Sequence, residues 1–254
     1  MQSQNSLNLS NGFFFRLKSS FKKLYKNSNF YEKRISKTFD NNFEYKPSPH
    51  LLSSIIRYQK KKYKIEDFAT EAIWKRNISS KDFKKLNNFF WFFSLDLKSS
   101  KETTQSIILN WINKNEKFDE NIWEFNITAK RIIAWLSNHQ LTYEDSNEEY
   151  RLFFNHMLQK QTNHLLNEIK NLSEIEEKLI GCAAIILTGL AYKDEKNYLD
   201  SGLNILKNII KQSLDKQGFP RSRSIQNLVF YLKYLIIIRE WFKESQNPIP
   251  EYVD

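Results

Sequence analysis

The sequence is poor in the residues that interrupt regular structure. Its 254 residues include only five glycines and five prolines, well below the usual share of each. So few breakers, together with few alternating runs of β-branched residues, indicate helices joined by short loops. The content of 41% hydrophobic and 15% aromatic residues is enough for a large core and argues against wholesale disorder. We therefore predict an all-α fold.

Cysteine and long apolar runs are equally scarce. Cys182 is the only cysteine, so no internal disulfide can form, and its apolar surroundings predict a buried, unreactive thiol. No run reaches the roughly 18 apolar residues that a membrane span needs, which predicts no membrane association. The N-terminal stretch lacks the basic, apolar and small-residue regions of a signal peptide. The expected compartment is the cytoplasm.

The net charge of +10 raises the question of nucleic acid, which binds basic surfaces. The basic residues are scattered, however, and lysine, asparagine, isoleucine and phenylalanine are all abundant, as AT-rich codon usage would produce. Nucleic acid is therefore a disfavoured partner. The four histidines show no HExxH spacing, and no P-loop, nucleotide-binding or hydrolase motif occurs. We predict no metal and no cofactor.

Seven amphipathic or wholly apolar stretches predict seven helices. They span residues 80–98, 101–115, 126–143, 147–170, 173–192, 195–214 and 224–242, with a capping box from Ser173 to Glu176 and an N-cap at Ser224. Short connections make successive helices antiparallel. The two long connections, 116–125 and 215–223, are the second and sixth, so both should emerge at the same end of the array. Loops on a rigid scaffold carry function, which makes that end the candidate site.

Three stretches carry a family resemblance. They read WEFNITAKRIIAWLSNHQLTY, LIGCAAIILTGLAY and LNILKNIIKQSLDKQGFPRSRSIQNLVFYLKYLIIIREW, and together they resemble the N-terminal helical domain of heparinase II/III-like proteins. The aromatic pair FKKLNNFFWFFSLDLK and ILNWI resembles the opening of that domain. The most specific part is Gly218 to Ile225, where family members read like Gly-Gly-His-x-Ser-Arg-Asn/Ser-Pro.

The resemblance implies a fold and an activity. The family fold is an (α/α) toroid of antiparallel helical hairpins followed by a β-sandwich, and its characterised members are polysaccharide lyases that cleave uronate-containing glycans by β-elimination. We expect residues 1–48 to be a poorly defined N-terminal extension and residues 49–254 to be an incomplete toroid. The β-sandwich would be encoded separately or be missing. Exported family members make the periplasm the alternative compartment.

The catalytic residues of the family are not matched. Ile225 stands at the proline position, and Asn227 and Leu228 stand where relatives read Tyr-His. Glu176 and Glu177 stand where relatives place the asparagine that neutralises the substrate carboxylate. Tyr231, one turn further on, is a possible base, although its helical position favours the core. No catalytic residue is assigned, and the chain alone is not expected to be a competent lyase.

Arginine suits the binding of an acidic sugar, because its planar fork grips a carboxylate through two parallel hydrogen bonds. Arg221, Arg223 and Asn227 are therefore candidate glycan-binding residues. The alternative for each arginine is structural: it caps helix carbonyls, or it pairs with a carboxylate such as Asp215 and braces the loop.

Three further candidates belong to the other long connection and the helix after it. Trp123 could stack on a sugar ring or anchor its loop, Asn126 could be an N-cap or a ligand, and Arg131 could form a structural salt bridge or bind the glycan. The leading hypothesis is the toroid of a polysaccharide lyase with an acidic polysaccharide as partner. The alternatives are a non-catalytic helical scaffold for a glycan or protein, and a basic module for nucleic acid.

Overall fold

The computed structural model describes residues 20–38, 44–48, 51–52, 79–192 and 196–253. These residues form helices and turns without a strand, apart from an isolated bridge between Leu214 and Pro220, so the all-α prediction is confirmed. Residues 20–26 are helical, and 3₁₀ turns cover Phe90–Ser94 and Ile169–Asn171. The α-helices are α1 Asn29–Ile35, α2 Ser80–Asn87, α3 Lys101–Asn115, α4 Phe125–Ser137, α5 His139–Thr142, α6 Glu148–Glu168, α7 Ile175–Ala191, α8 Lys196–Ser213 and α9 Ile225–Glu244.

Side-chain caps fix several of these starts. Ser224 accepts a hydrogen bond from the N–H of Asn227, which confirms the predicted N-cap of α9. The predicted capping box of α7 is wrong. The helix begins one residue later than such a box requires, at Ile175, and its N-cap residue Glu174 makes no side-chain cap bond.

The prediction of one helix over 80–98 is also wrong, because α2 ends at Asn87. The next turn is left-handed at Phe89, with φ of 57°, and the side chain of Asn88 accepts from the N–H of Phe90. This turn buries the Phe89 ring completely, edge-on against Trp111 and Trp135 at centroid distances of 6.0 and 5.4 Å. Burial of a large aromatic surface offsets the cost of the left-handed residue.

Helix α7 lies at the centre of the array and contacts α4, α6, α8 and α9. It runs antiparallel to α8, since Gly189 adjoins Leu199 while Cys182 donates its thiol hydrogen to the carbonyl of Gly202. Cys182 is fully buried, as predicted.

The starts of α4, α7 and α9 lie at the same end of the array. The ring of Phe125, the first residue of α4, lies against Gly181, and the hydroxyl of Tyr231 donates to Glu176 in the first turn of α7. The segments that precede α4 and α9 therefore emerge at this end. Those segments contain the two long connections, and we call this end the rim.

Part of the N-terminal region packs on the array. Tyr31 and Ile35 of α1 are buried, and Glu32 forms an ion pair with Lys160, whose side chain is only 2% exposed. The hydroxyl of Tyr31 lies 2.7 Å from Nδ1 of His164. These polar contacts of Tyr31 and Glu32 therefore join α1 to α6.

His164 should make stability depend on pH. Burial, followed by the charge of Lys26, lowers the pKa of His164 to about 3, whereas an unfolded histidine titrates near 6.5. The unfolded chain therefore binds the extra proton first, and stability is lost as pH falls below about 6.5, by up to about 1.4 kcal/mol per pH unit. We expect urea unfolding between pH 6 and pH 4 to show this slope and His164→Asn to reduce it. An unchanged slope in the variant would contradict the assignment.

Candidate functional site

The connection between α8 and α9, residues 214–224, is held by hydrogen bonds to its own backbone. We call it the arginine loop. The N–H of Asp215 donates to the carbonyl of Phe219, and the N–H of Arg221 donates to the carbonyl of Ser213, both at 2.8 Å. Gly218 supplies the turn with φ of 80°, which glycine adopts readily. The loop is therefore a defined turn.

Arg223 is exposed and forms an ion pair with Asp215. Its φ of 56° is uncommon outside glycine, and its Nη1 lies 2.7 Å from the carboxylate of Asp215. The structural alternative for Arg223, pairing with Asp215, is thus what the structure shows. The arginine side chain nevertheless remains 69% exposed, so much of its guanidinium faces solvent.

The carboxylate of Asp215 organises the loop. Its Oδ1 accepts from the N–H groups of Gln217 and Phe219 at 2.9 and 3.0 Å. Desolvation by burial raises its pKa, but these two N–H groups and the Arg223 charge outweigh that effect, and the net result is a lowered pKa. A ligand carboxylate that binds Arg223 would therefore have to compete with the carboxylate of Asp215.

Arg221 and Asn227 are the other two candidate residues at the arginine loop. The Arg221 side chain is exposed, and its hydrogen bond is a long one of 3.4 Å to the carbonyl of Lys211. Asn227, in the first turn of α9, donates from Nδ2 to the hydroxyl of Ser222 at 3.2 Å. The structure thus gathers Arg221, Arg223 and Asn227 on a single segment at the rim.

Trp123 lies elsewhere, inside the protein. It is 1% exposed, its Nε1 donates to the carbonyl of Asn115, and its ring lies edge-on to His164 at 5.7 Å. Stacking on a sugar needs an exposed ring face, and this indole has none. Its contacts are those of the loop anchor, the other reading of this residue.

Arg131 is also buried, with a side chain 0% exposed. It donates to the side chain of Gln161 at 2.6 Å and to the carbonyls of Asn87 and Ile122 at 2.8 and 3.2 Å. Its guanidinium lies 4.1 Å from the ring centroid of Trp111. The predicted salt bridge is wrong, because all of these acceptors are neutral. Arg131 joins the end of α2, the connection before α4 and the body of α6.

Asn126 is not an N-cap. The cap residue of α4 is Glu124, which places Asn126 inside the first turn. Its Oδ1 is buried and finds no hydrogen-bond partner among the described residues. Unpaired buried acceptors are uncommon in native proteins, so this atom is suited to take a donor from water or from a ligand hydroxyl.

Tyr231 does not have the features of a general base. It is 5% exposed, and its hydroxyl donates to the carboxylate of Glu176 at 3.3 Å. Burial, followed by the charge of Glu176, raises its pKa. A phenol with a raised pKa is a poor proton acceptor near neutral pH.

The sequence pattern does not predict a pair of lysines near the rim, Lys130 and Lys233. The amino group of Lys130 lies 5.8 Å from the Phe90 ring centroid. Its pKa is lowered mainly by burial, and the charge of Lys233 lowers it further while Glu124 and Glu177 raise it. Lys130 and Lys233 come from α4 and α9, and their mutual approach is a property of packing that helical periodicity does not encode.

Among the described residues, no group of three histidine, cysteine, aspartate or glutamate side chains could hold a metal ion. None of the described helices combines the length and apolarity that a membrane crossing requires.

Known proteins give no assignment for this site. No family model, no curated protein and no solved structure matches the chain.

Proposed function

We propose that the arginine loop binds the carboxylates of an acidic, uronate-containing glycan, and that the chain is the helical toroid of a heparinase II/III-like polysaccharide lyase. The observation that carries the binding proposal is the pair of exposed arginines, Arg221 and Arg223, on a turn that its own hydrogen bonds hold in place. A preorganised loop loses little entropy when it binds a ligand.

The arrangement of helices supports the toroid. Helices α4, α7 and α9 begin at the rim and pack side by side, with α7 in the middle, while α3, α6 and α8 run the other way. Such a double layer is the arrangement that successive helical hairpins of a toroid would give. Helix α9 also carries an exposed apolar stripe, on which a further helix could pack: Ile225, Val229, Leu232 and Ile236.

Uronate β-elimination needs a group that neutralises the carboxylate, a base and an acid. The arginine loop supplies the first of these. Tyr231 is held by Glu176, so the base and the acid would come from outside the described rim. We therefore propose that the arginine loop binds the glycan and that groups outside the described rim complete the cleavage.

Two substitutions within the arginine loop should change the affinity for an oligouronate in opposite directions. Arg223→Gln should weaken the binding of an oligouronate at least tenfold, since hydrogen bonds between charged groups contribute about 1.5–3 kcal/mol. Asp215→Asn keeps the acceptor for the Gln217 and Phe219 N–H groups and removes the competing negative charge, so affinity should rise about threefold. Titration calorimetry at fixed salt measures both.

Lys216→Gln is the matched control, because Lys216 is an exposed cation of the same loop. Its affinity should stay within about twofold of the original chain, as for a solvent-screened charge. Equal losses in Lys216→Gln and Arg223→Gln would show general attraction to polyanions and overturn the proposal. Stronger binding of nucleic acid, with a steep salt slope, would favour the nucleic-acid alternative instead.

The apolar stripe of α9 favours a second candidate function, a non-catalytic helical scaffold that binds a protein. Val229 and Leu232 are 62% and 46% exposed, which is unusual for neighbouring apolar positions on one helix face. The two candidates separate in an assay of the protein, purified from its source, with an acidic polysaccharide. Ultraviolet absorbance of an unsaturated uronate supports the lyase, and its absence with glycan binding intact supports the scaffold.

A further inference from the structure

A second polar cleft lies away from the rim, between the C-terminal end of α1, the last two turns of α6 and the first two turns of α8. Its volume is about 290 Å³, close to the lower end for small-molecule sites. Arg34 and Lys37 line one side, and Asn167, Tyr198 and Ser201 line the other. No acidic side chain is among the described residues that line it.

Asn163 fixes the shape of this cleft. Its Nδ2 donates to the carbonyls of Ile35 and Lys37 at 2.9 and 2.8 Å, and its Oδ1 accepts from the hydroxyl of Tyr198 at 3.0 Å. One side chain of α6 therefore holds the end of α1 and the start of α8 together. The cations of α1 are thus carried on backbone that is already in position.

Neither cation has a counter-ion within the part of the chain that the structure describes. The guanidinium of Arg34 donates to the hydroxyl of Tyr25 at 3.3 Å, and neither Arg34 nor Lys37 forms an ion pair with a described residue. Both side chains are exposed at the mouth of the cleft. Two neighbouring positive charges without a carboxylate favour an anionic ligand.

The opposite wall can hydrogen-bond to the hydroxyl groups of a ligand. Nδ2 of Asn167 is occupied, because it donates to the carbonyl of Asn163 at 2.8 Å, and this leaves Oδ1 as an acceptor. The hydroxyl of Ser201 can accept as well. Near neutral pH inorganic phosphate still carries a hydroxyl, but neither it nor sulfate can place a carboxylate against the two cations and separate hydroxyls against Asn167 and Ser201, as a hydroxylated carboxylate can.

We propose that this cleft binds a hydroxylated monocarboxylate of monosaccharide size. Its carboxylate lies against Arg34 and Lys37, and its hydroxyls donate to Asn167 and Ser201. The cleft does not depend on the arginine loop, since the loop follows the far end of α8.

Titration calorimetry or amide chemical shifts with glucuronate test the proposal. The double substitution Arg34→Gln/Lys37→Gln should weaken glucuronate binding at least tenfold, while Lys33→Gln, an exposed lysine of the same helix outside the cleft, should leave it unchanged. Glucose and inorganic phosphate should each bind at least tenfold more weakly than glucuronate to the original chain.

Several results would overturn this assignment. They are no saturable glucuronate binding, phosphate binding as tight as glucuronate binding, and equal losses in the Lys33→Gln control. Loss of glucuronate binding in Arg223→Gln but not in the Arg34→Gln/Lys37→Gln chain would also reject the cleft and leave the arginine loop standing. Thermal unfolding of each variant, expected within about 0.5 kcal/mol of the original because the substitutions are on the surface, confirms that the fold is retained.

Discussion

Replacement of Arg131 by alanine is expected to lower the free energy of unfolding by about 3–5 kcal/mol, because it breaks a buried hydrogen-bond network and leaves several acceptors unpaired at about 1–3 kcal/mol each. The guanidinium is fully buried and donates to Gln161 and to the carbonyls of Asn87 and Ile122. Alanine leaves these acceptors buried without a donor and leaves a space beside Trp111. Chemical denaturation followed by tryptophan fluorescence measures the loss.

Arg151→Ala is the control for this experiment. Arg151 also lies near an aromatic ring, 5.3 Å from that of Tyr143, and donates to the hydroxyl of Ser146, but it is partly exposed. Water can replace its contacts, so its loss should be about 1 kcal/mol or less. Similar losses for Arg131→Ala and Arg151→Ala would show that Arg131 is not the central support described here.

The second large effect is expected from Gly189→Ala, where α7 and α8 meet. A methyl group at Gly189 would lie 2.4 Å from the backbone nitrogen of Leu199 and 2.7 Å from its Cα. Backbone cannot rotate aside, so the helices must separate, and we expect a loss of roughly 3 kcal/mol. Thermal or urea unfolding checks this value.

Gly202→Ala in the same interface separates crowding from glycine chemistry. The added methyl group would meet a side-chain atom, Cγ1 of Ile186, at 2.6 Å, and the backbone nitrogen of Ile186 only at 3.3 Å, so a side chain must move but the two backbones need shift little. Alanine also favours the helix by up to about 1 kcal/mol, so the net change should be about 1 kcal/mol or less. A loss in Gly202→Ala as large as that in Gly189→Ala would mean that the approach of the two backbones is not what limits the interface.

Local signals predicted most of the helices but not the break within 80–98 or the break at Asn138, which divides the predicted helix 126–143 into α4 and α5. Apolar stripes predicted α3, α6, α8 and α9 closely, and Ser224 marked the start of α9. The turn at Phe89 depends on Trp111 and Trp135, which are distant in sequence. No pattern within residues 80–98 predicts that these two rings pack against Phe89.

The candidate site was predictable in part for the same reason. The arginine loop lies within one short segment, and its brace by Asp215 was one of the two readings that the sequence allowed. The role of Arg131 was not predictable, because its acceptors Asn87, Ile122 and Gln161 come from three separate segments. Burial of Trp123 likewise depends on α6 packing over its loop.

The most direct test of the glycan-binding proposal is a crystal structure of the chain with an acidic tetrasaccharide. We expect a ligand carboxylate within hydrogen-bonding distance of the Arg221 or Arg223 guanidinium at the rim, with the arginine loop in the conformation described above. A tetrasaccharide bound only at another surface, with both guanidinium groups untouched, would contradict the proposal.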